Sequence, residues 1–166
     1  PEEKLELKGD IEFTHGPYKA QSEEASIDQQ SRQAELRGNI RLSSPDLLLN
    51  GDSAVMNMTS DKVSVVNATF SNPQTAINGQ ASEITRTDEN TLIIRDGLFS
   101  SCPPEKRDWA FAAEKITLDK AEGFGQARNT KFLIKDTPVL YIPWFSFPID
   151  DRRKSGFLYP TFGSSN

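Results

Sequence analysis

The chain has 166 residues, of which 36% are hydrophobic and 26% are charged, and its net charge is −5 at neutral pH. This length is enough for one domain with a hydrophobic core, and the ten phenylalanines argue against a disordered chain. The acidic balance argues against general nucleic-acid binding, which needs a basic surface. The sequence has no run of 18 apolar residues and so predicts no transmembrane helix.

Prolines divide the chain at nearly regular intervals. Pro17, Pro45, Pro73 and Pro103 are separated by 28, 28 and 30 residues, and each lies in a short polar segment. Pro138 marks a fifth break after a longer interval. Because proline lacks a backbone donor and keeps the preceding residue extended, these breaks indicate the ends of strands.

A short motif precedes each break, consisting of Asn or Asp, two further residues, and then Phe or Leu. Its five copies begin at Asp10, Asn39, Asn67, Asp96 and Asn129. A second polar turn falls between successive breaks, so a repeat of about 29 residues is predicted to contain a strand, a corner, a strand and a turn. From Leu5 to Phe13 every second residue is apolar or glycine, which is the period of a strand with one apolar face.

An alternative for Ser22 to Leu36 is a helix, because Glu, Ala and Gln are good helix formers. The apolar residues of this segment are spaced by two and then by seven, which fits two strands around a polar turn better. We therefore predict an all-β chain built from strand pairs.

Small residues are frequent near the predicted strand centres, which could leave room between two rows of strands. That room would be an elongated apolar groove, whereas a plain β-sandwich with a closed core is the alternative. For any single candidate, core packing is favoured over lining a groove. The candidates for groove-lining residues are the apolar residues in phase: Ile11, Phe13, Ile27, Leu36, Ile40, Leu42, Met56, Phe70, Ile84, Phe99, Phe111 and Ile116.

The character of the sequence changes after residue 138. The segment Val139–Pro148 is rich in aromatic residues, and the charged cluster Asp150–Lys154 follows. Aromatic residues beside basic ones are typical of a membrane interface or of the approach to a barrel strand. We predict a β-domain over residues 1–138 and a junction over 139–166, with a last strand that completes the repeats as the alternative.

The junction carries a resemblance to a known family. The runs Tyr141–Pro148 and Asp151–Pro160, together with the Cys102-Pro103 corner and Trp109, resemble the LptD family of outer-membrane lipopolysaccharide-assembly proteins. The resemblance covers the whole chain, and residues 1–138 are similar to the family's periplasmic OstA-like domain. It implies a β-jellyroll, or β-taco, of two facing antiparallel sheets whose groove accepts the acyl chains of lipopolysaccharide.

The resemblance also implies partners and a location. Lipopolysaccharide would arrive from a periplasmic LptA-like bridge protein by edge-to-edge strand addition, and a C-terminal outer-membrane barrel plugged by the lipoprotein LptE would receive it. The partner-strand edge would be the first strand, at Leu5, Leu7 and Ile11. The domain would then face the periplasm of a Gram-negative bacterium. A soluble periplasmic bridge or scaffold module of the same fold is the alternative function.

Cys102 is the only cysteine of the chain. It is either a free thiol or, as the resemblance implies, one half of a disulfide with a cysteine in the barrel region.

An enzyme is not expected, because the only histidine, His15, lies in a Gly-Pro corner and no phosphate loop or metal-spaced cluster is present. The sequence accordingly predicts no cofactor and no metal site.

Overall fold

The computed structural model describes residues 4–45 and 47–149, which form ten antiparallel strands in one sheet. Each strand pairs with the next along the chain, so that β1 and β10 are the two edges. The strands are β1 (Lys4–His15), β2 (Tyr18–Asp28), β3 (Gln33–Ser43), β4 (Leu48–Asn57), β5 (Lys62–Ser71), β6 (Asn78–Arg86), β7 (Thr91–Ser100), β8 (Trp109–Asp119), β9 (Phe124–Ile134) and β10 (Thr137–Pro148). The all-β prediction is confirmed, and the helix considered for Ser22 to Leu36 is wrong, because this segment forms β2, a turn and β3.

The predicted corners and turns alternate along the sheet. Pro17, Pro45, Pro73 and Pro103 all lie between strands, and Pro138 is the second residue of β10. The four polar turns lie at the opposite ends of the strands, and each follows an Asp or Asn whose side chain accepts backbone N–H groups of the turn. These residues are Asp28, Asn57, Asp88 and Asp119. Such side chains stabilise a tight reversal by replacing a backbone acceptor.

A line of irregular pairing crosses the middle of the strands, and we call it the crease. At the crease β3, β5, β7 and β9 each place one non-glycine residue in the left-handed backbone region, with φ between 43° and 51°. These residues are Asn39, Asn67, Asp96 and Asn129. Asn and Asp are the non-glycine residues that adopt this conformation most readily, so their recurrence is explained by the backbone.

The side chains of these residues bond to the preceding strand. The amide of Asn67 donates to Asp52 at 2.9 Å, and the hydroxyl of Ser82 donates to Asp96 at 3.0 Å. Asn39 donates likewise to Glu23, and Asn129 to Glu114. The crease is therefore a row of polar pairs that divides each strand into a corner arm, which ends at the proline corners, and a turn arm, which ends at the polar turns.

The hydrophobic core draws on both sides of the crease. Ile40 and Ala68 belong to the corner arm, Val65 and Ala127 belong to the turn arm, and all four lie in the same buried cluster. Ile40 and Ala127 are 0% exposed. An extended flat sheet would leave both of its faces open to water, so this burial requires that one face is covered along the crease.

The aromatic segment after residue 138 is part of the sheet as far as Pro148. Residues 137–148 form β10, which pairs with β9 from Thr137 opposite Ile134 to Pro148 opposite Phe124. The charged cluster Asp150–Lys154 and the rest of the predicted junction lie outside the described residues. Among the residues described, no helix is long and apolar enough to cross a membrane.

Candidate functional site: an apolar inner face

The face of the sheet that holds the core carries rows of side chains running from edge to edge. Residues paired across antiparallel strands share a face, so the pairing register defines each row. On the turn arm, the inner turn row lies beside the crease and is apolar on all ten strands. Its members are Leu7, Ala25, Leu36, Ala54, Val65, Ile84, Ile94, Ile116, Ala127 and Phe145.

The corner arm carries a second continuous apolar row, farther from the crease. This outer corner row consists of Phe13, Ala20, Leu42, Leu49, Phe70, Gly79, Phe99, Phe111, Phe132 and Leu140. The row on the opposite face next to the inner turn row is largely charged, and it includes Lys8, Glu24, Arg37, Glu83 and Arg95. The two faces thus differ sharply in polarity.

On the corner arms of β5, β7, β8 and β9, side-chain size increases with distance from the crease. Beside the crease, Ala68, Ala81, Gly97 and Ala113 are small and buried. Farther out, the outer corner row is bulky and mostly half-exposed, and Phe13 at its first position is 43% exposed. Small residues allow close approach where the arms meet, whereas bulky residues present apolar surface where the face opens.

The C-terminal part of this row is an aromatic cluster. The rings of Phe99 and Phe111 stack with centroids 5.4 Å apart, and Phe111 lies 5.0 Å from Phe132. The ring of Trp109 meets Phe111 edge-on at 5.8 Å. All four side chains remain half-exposed, so the cluster offers a continuous aromatic surface rather than a closed core.

All twelve predicted groove residues point to the inner face, but their exposure differs. Leu36, Ile40, Ile84 and Ile116 are buried beside the crease, where their visible role is packing. The other eight are half-exposed or exposed, and they are Ile11, Phe13, Ile27, Leu42, Met56, Phe70, Phe99 and Phe111. Contact with a ligand remains a prediction for all of them.

Several residues of the inner face were not among the groove residues predicted from the sequence. Phe132 and Trp109 complete the aromatic cluster, and Phe145 and Phe147 on β10 pack against the core. The sequence carried a signal for Phe132, since it ends the copy of the strand motif that begins at Asn129. Trp109 alternates with Phe111, which also places the two on one face.

Two hydroxyl groups interrupt the apolar inner face. The Oγ of Ser22 and the Oγ1 of Thr130 are buried and have no hydrogen-bond partner among the described residues. Thr130 pairs with Ala113 on one side and with Ile142 on the other, directly beside the crease. Hydroxyls of this kind are polar points in a surface that otherwise suits hydrocarbon.

Cys102 lies in the loop between β7 and β8, at the predicted proline corner, and is half-buried. Its backbone N–H donates to the Oγ of Ser100 at 2.9 Å, and its carbonyl accepts from the Asn78 amide at 2.8 Å. Hydrogen bonds from the Ser100 side chain and then from the Trp109 backbone lower the pKa of the thiol. Ser100 and Asn78 therefore hold the backbone of Cys102, and the pKa of its thiol lies below the usual value.

The two edges of the sheet differ in chemistry. Strand β1, with the predicted edge residues Leu5, Leu7 and Ile11, has no proline. Strand β10 contains Pro138, Pro143 and Pro148. Proline offers no backbone donor, so β10 is poorly suited to accept a further strand, whereas β1 keeps a regular edge apart from one bulge.

The sequence of the strands matches a known protein family. Residues 21–124 match the family described as "LptA/(LptD N-terminal domain) LPS transport protein". The chain belongs to this family. The predicted family resemblance is thereby confirmed over most of the strands.

Curated relatives extend the similarity to nearly the whole chain. The chain is 38% identical over 165 residues to the LPS-assembly protein LptD of Hahella chejuensis, covering 99% of this chain and 21% of that protein. It is 41% identical over 162 residues to LptD of Marinobacter nauticus, with 98% and 20% coverage. The chain thus spans about a fifth of the length of these relatives.

A solved structure supports the fold. The crystal structure of LptH, described as the LptA-homologous periplasmic component of the lipopolysaccharide transport device of Pseudomonas aeruginosa, superposes with a TM-score of 0.55. It covers 71% of this chain and 94% of LptH at 16% identity. At this identity the match concerns the fold alone, and it places the ten-stranded sheet with the LptA-like jellyroll proteins.

Proposed function

We propose that the chain is the periplasm-facing part of an outer-membrane lipopolysaccharide-assembly protein and that its inner face carries the acyl chains of lipopolysaccharide. The observation that supports this most strongly is the outer corner row, which is apolar on every strand from β1 to β10 and mostly half-exposed. Ten strands spaced by about 4.8 Å span roughly 43 Å, so this row forms a long, continuous path.

The energetics of such a path need no polar clamp along its length. Removing one methylene from water is worth about 0.8 kcal/mol, so a few acyl chains against an apolar face supply the affinity. The core on both sides of the crease supports a sheet folded into two facing arms, as in the jellyroll expected from the resemblance. The sugars and phosphates would then stay outside the arms, in water.

The β1 edge supports a route of entry for the lipid. An LptA-like bridge protein would add its own last strand to β1, and the apolar rows of the two proteins would then run on continuously. At the other end, β10 leads into residues 150–166, and the remainder of an LptD-like protein, including a barrel plugged by LptE, would take up the lipid. In that protein Cys102 would form a disulfide with a cysteine outside this chain.

The role proposed is transport rather than catalysis. The family is described by a transport function, and the relatives with 36–41% identity over nearly the whole chain are LptD proteins. This similarity favours the assembly protein over a free-standing bridge module. The ten strands, which end at Pro148, would serve as the lipid-carrying domain, and the residues after 148 as the lead into the rest of the protein.

Photo-crosslinking in cells that export lipopolysaccharide tests the path. A photoreactive residue in place of Phe70 or Phe111 should capture lipopolysaccharide, because both side chains are half-exposed on the inner face. Thr69 is the matched control, since it neighbours Phe70 in β5 but is exposed on the opposite face. Equal capture at Thr69 and Phe70, or no capture at Phe70 and Phe111, would refute the assignment.

Proline substitution tests the docking edge. Successive backbone N–H groups of a strand point to opposite sides, so either Glu6→Pro or Leu7→Pro removes a donor from the free edge of β1. The proline variant that removes a donor from the free edge should lose capture of the bridge protein in a pull-down, while its thermal unfolding stays unchanged. The other proline variant removes a donor that faces β2 and should be destabilised. Leu7→Ala controls for the side chain. Undiminished capture by both proline variants would exclude this edge.

A further inference from the structure

Arg86 is the one charged side chain in the apolar rows on the inner face of the described residues. It belongs to the outer turn row, which runs along the turn arm near the polar turns. The members of that row are Leu5, Ile27, Ala34, Met56, Val63, Arg86, Leu92, Leu118, Gly125 and Phe147. An isolated arginine in an apolar row calls for an explanation beyond packing.

The surroundings of Arg86 combine apolar neighbours with access to water. It is the last residue of β6 and pairs with Val63 on one side and Leu92 on the other. Both of these neighbours pack against the core, while Arg86 itself is exposed. Its aliphatic stem therefore extends the apolar surface, and its guanidinium stands at the rim where that surface meets solvent.

The charge of Arg86 is not neutralised by the described residues. Its Nε donates to the backbone carbonyl of Asp88 at 3.2 Å, and it forms no ion pair with a described carboxylate. The Asp88 carboxylate instead accepts the backbone N–H groups of Asn90 and Thr91, each at 2.8 Å. The bond to the Asp88 carbonyl holds the arginine at the turn and leaves its terminal N–H groups available.

We propose that Arg86 binds a phosphate group of the amphiphile whose acyl chains lie on the inner face. This inference rests on the proposed function. The planar guanidinium fits phosphate through two parallel hydrogen bonds, and Val63 and Leu92 supply the apolar surface beside it. In a chain with a net charge of −5, one cation at the rim gives the anionic lipid a defined orientation.

Equilibrium binding to the 166-residue chain with two probes tests this role. The probes are a diphosphorylated, multiply acylated glucosamine disaccharide and the same lipid without its phosphates. Arg86→Gln should weaken binding of the phosphorylated lipid about threefold to tenfold and leave the other lipid unaffected. Arg86→Lys should recover only part of the loss, because an ammonium lacks the bidentate fork.

Arg95→Gln is the matched control, because Arg95 is exposed on the opposite face, paired with Glu83. An equal loss in Arg95→Gln, an equal loss for both lipids in Arg86→Gln, or no loss in Arg86→Gln would each overturn the role of Arg86 while leaving acyl binding intact. If the unmodified chain bound neither lipid, the proposed function itself would fail, and this inference with it.

Discussion

Substitution of Asn67 tests whether the crease is set by backbone conformation. Asn67 has φ 51°, and its amide donates to Asp52 at 2.9 Å. Asn67→Ala should lose the hydrogen bond, worth about 1 kcal/mol, and in addition force alanine into the left-handed region at a cost of about 1–2 kcal/mol. Asn67→Gly loses the same bond but avoids the steric cost, because glycine adopts this conformation freely. The steric cost to alanine is partly offset by the greater unfolded-state entropy of glycine, about 0.5–1 kcal/mol, so the alanine variant should be the less stable of the two by about 1 kcal/mol.

Urea unfolding followed by circular dichroism measures this difference, and each kcal/mol should also shift the melting temperature by about 2–4 °C in a chain of this size. Asn50 is the matched control, since it is exposed in neighbouring β4 and has no positive φ. There the order should reverse, because glycine in an extended strand costs about 0.5–1 kcal/mol relative to alanine. Equal stability of Asn67→Ala and Asn67→Gly would refute the backbone explanation of the crease.

The remaining predictions concern a thiol, two glycines and a carboxylate. Alkylation of Cys102 should reach half its limiting rate at a lower pH in the folded chain than in the urea-unfolded chain, because local hydrogen bonds lower the thiol pKa. Gly79→Ala should destabilise by about 1–3 kcal/mol in urea unfolding, since its Cβ would overlap a backbone carbonyl oxygen. Gly125→Ala overlaps the ring of Phe147 instead, so adding Phe147→Leu should relieve its cost. Hydrogen bonds from backbone N–H groups of the turn, chiefly the N–H of Asn90, lower the pKa of Asp88. The Asp88 carboxylate therefore stabilises the folded state above its unfolded pKa of about 3.9, and this stabilisation is lost as the pH falls through the lower folded pKa. Asp88→Asn should make the free energy of unfolding less sensitive to acid.

The strand repeat could be predicted because its signals are local. Proline ends a strand wherever it lies, and polar side chains close turns without help from distant residues. The strict alternation seen from Leu5 to Phe13 and from Leu36 to Leu42 belongs to β1 and β3, where inward residues are four apart across the crease. In the strands that follow β3, the inward residues on either side of the crease are only three apart, as from Val65 to Ala68 or from Ile94 to Gly97.

That step of three explains why the faces were harder to predict than the strands. A shift by an odd number of residues exchanges the two faces of a strand, so the alternation fails at mid-strand unless the crease is known. In four of the five copies of the motif that begins with Asn or Asp, the first residue marks the left-handed position at the crease, as at Asn129, rather than the approach to a corner. Side-chain exposure, which separates buried Ile40 from half-exposed Phe70, depends on neighbours distant in sequence.

The contrast between the two edges bears on how such a sheet could take part in a larger path. A partner strand needs free donors and acceptors along the edge it joins, and β1 offers them without a proline from Lys4 to His15. On β10, Pro138, Pro143 and Pro148 lie five residues apart, and each one whose nitrogen faces the free edge leaves a gap in its donors, which discourages addition of another strand. If a partner strand adds to this chain as proposed, the sheet should therefore extend from β1 rather than from β10, and lipid carried along the inner rows would be supplied from that edge.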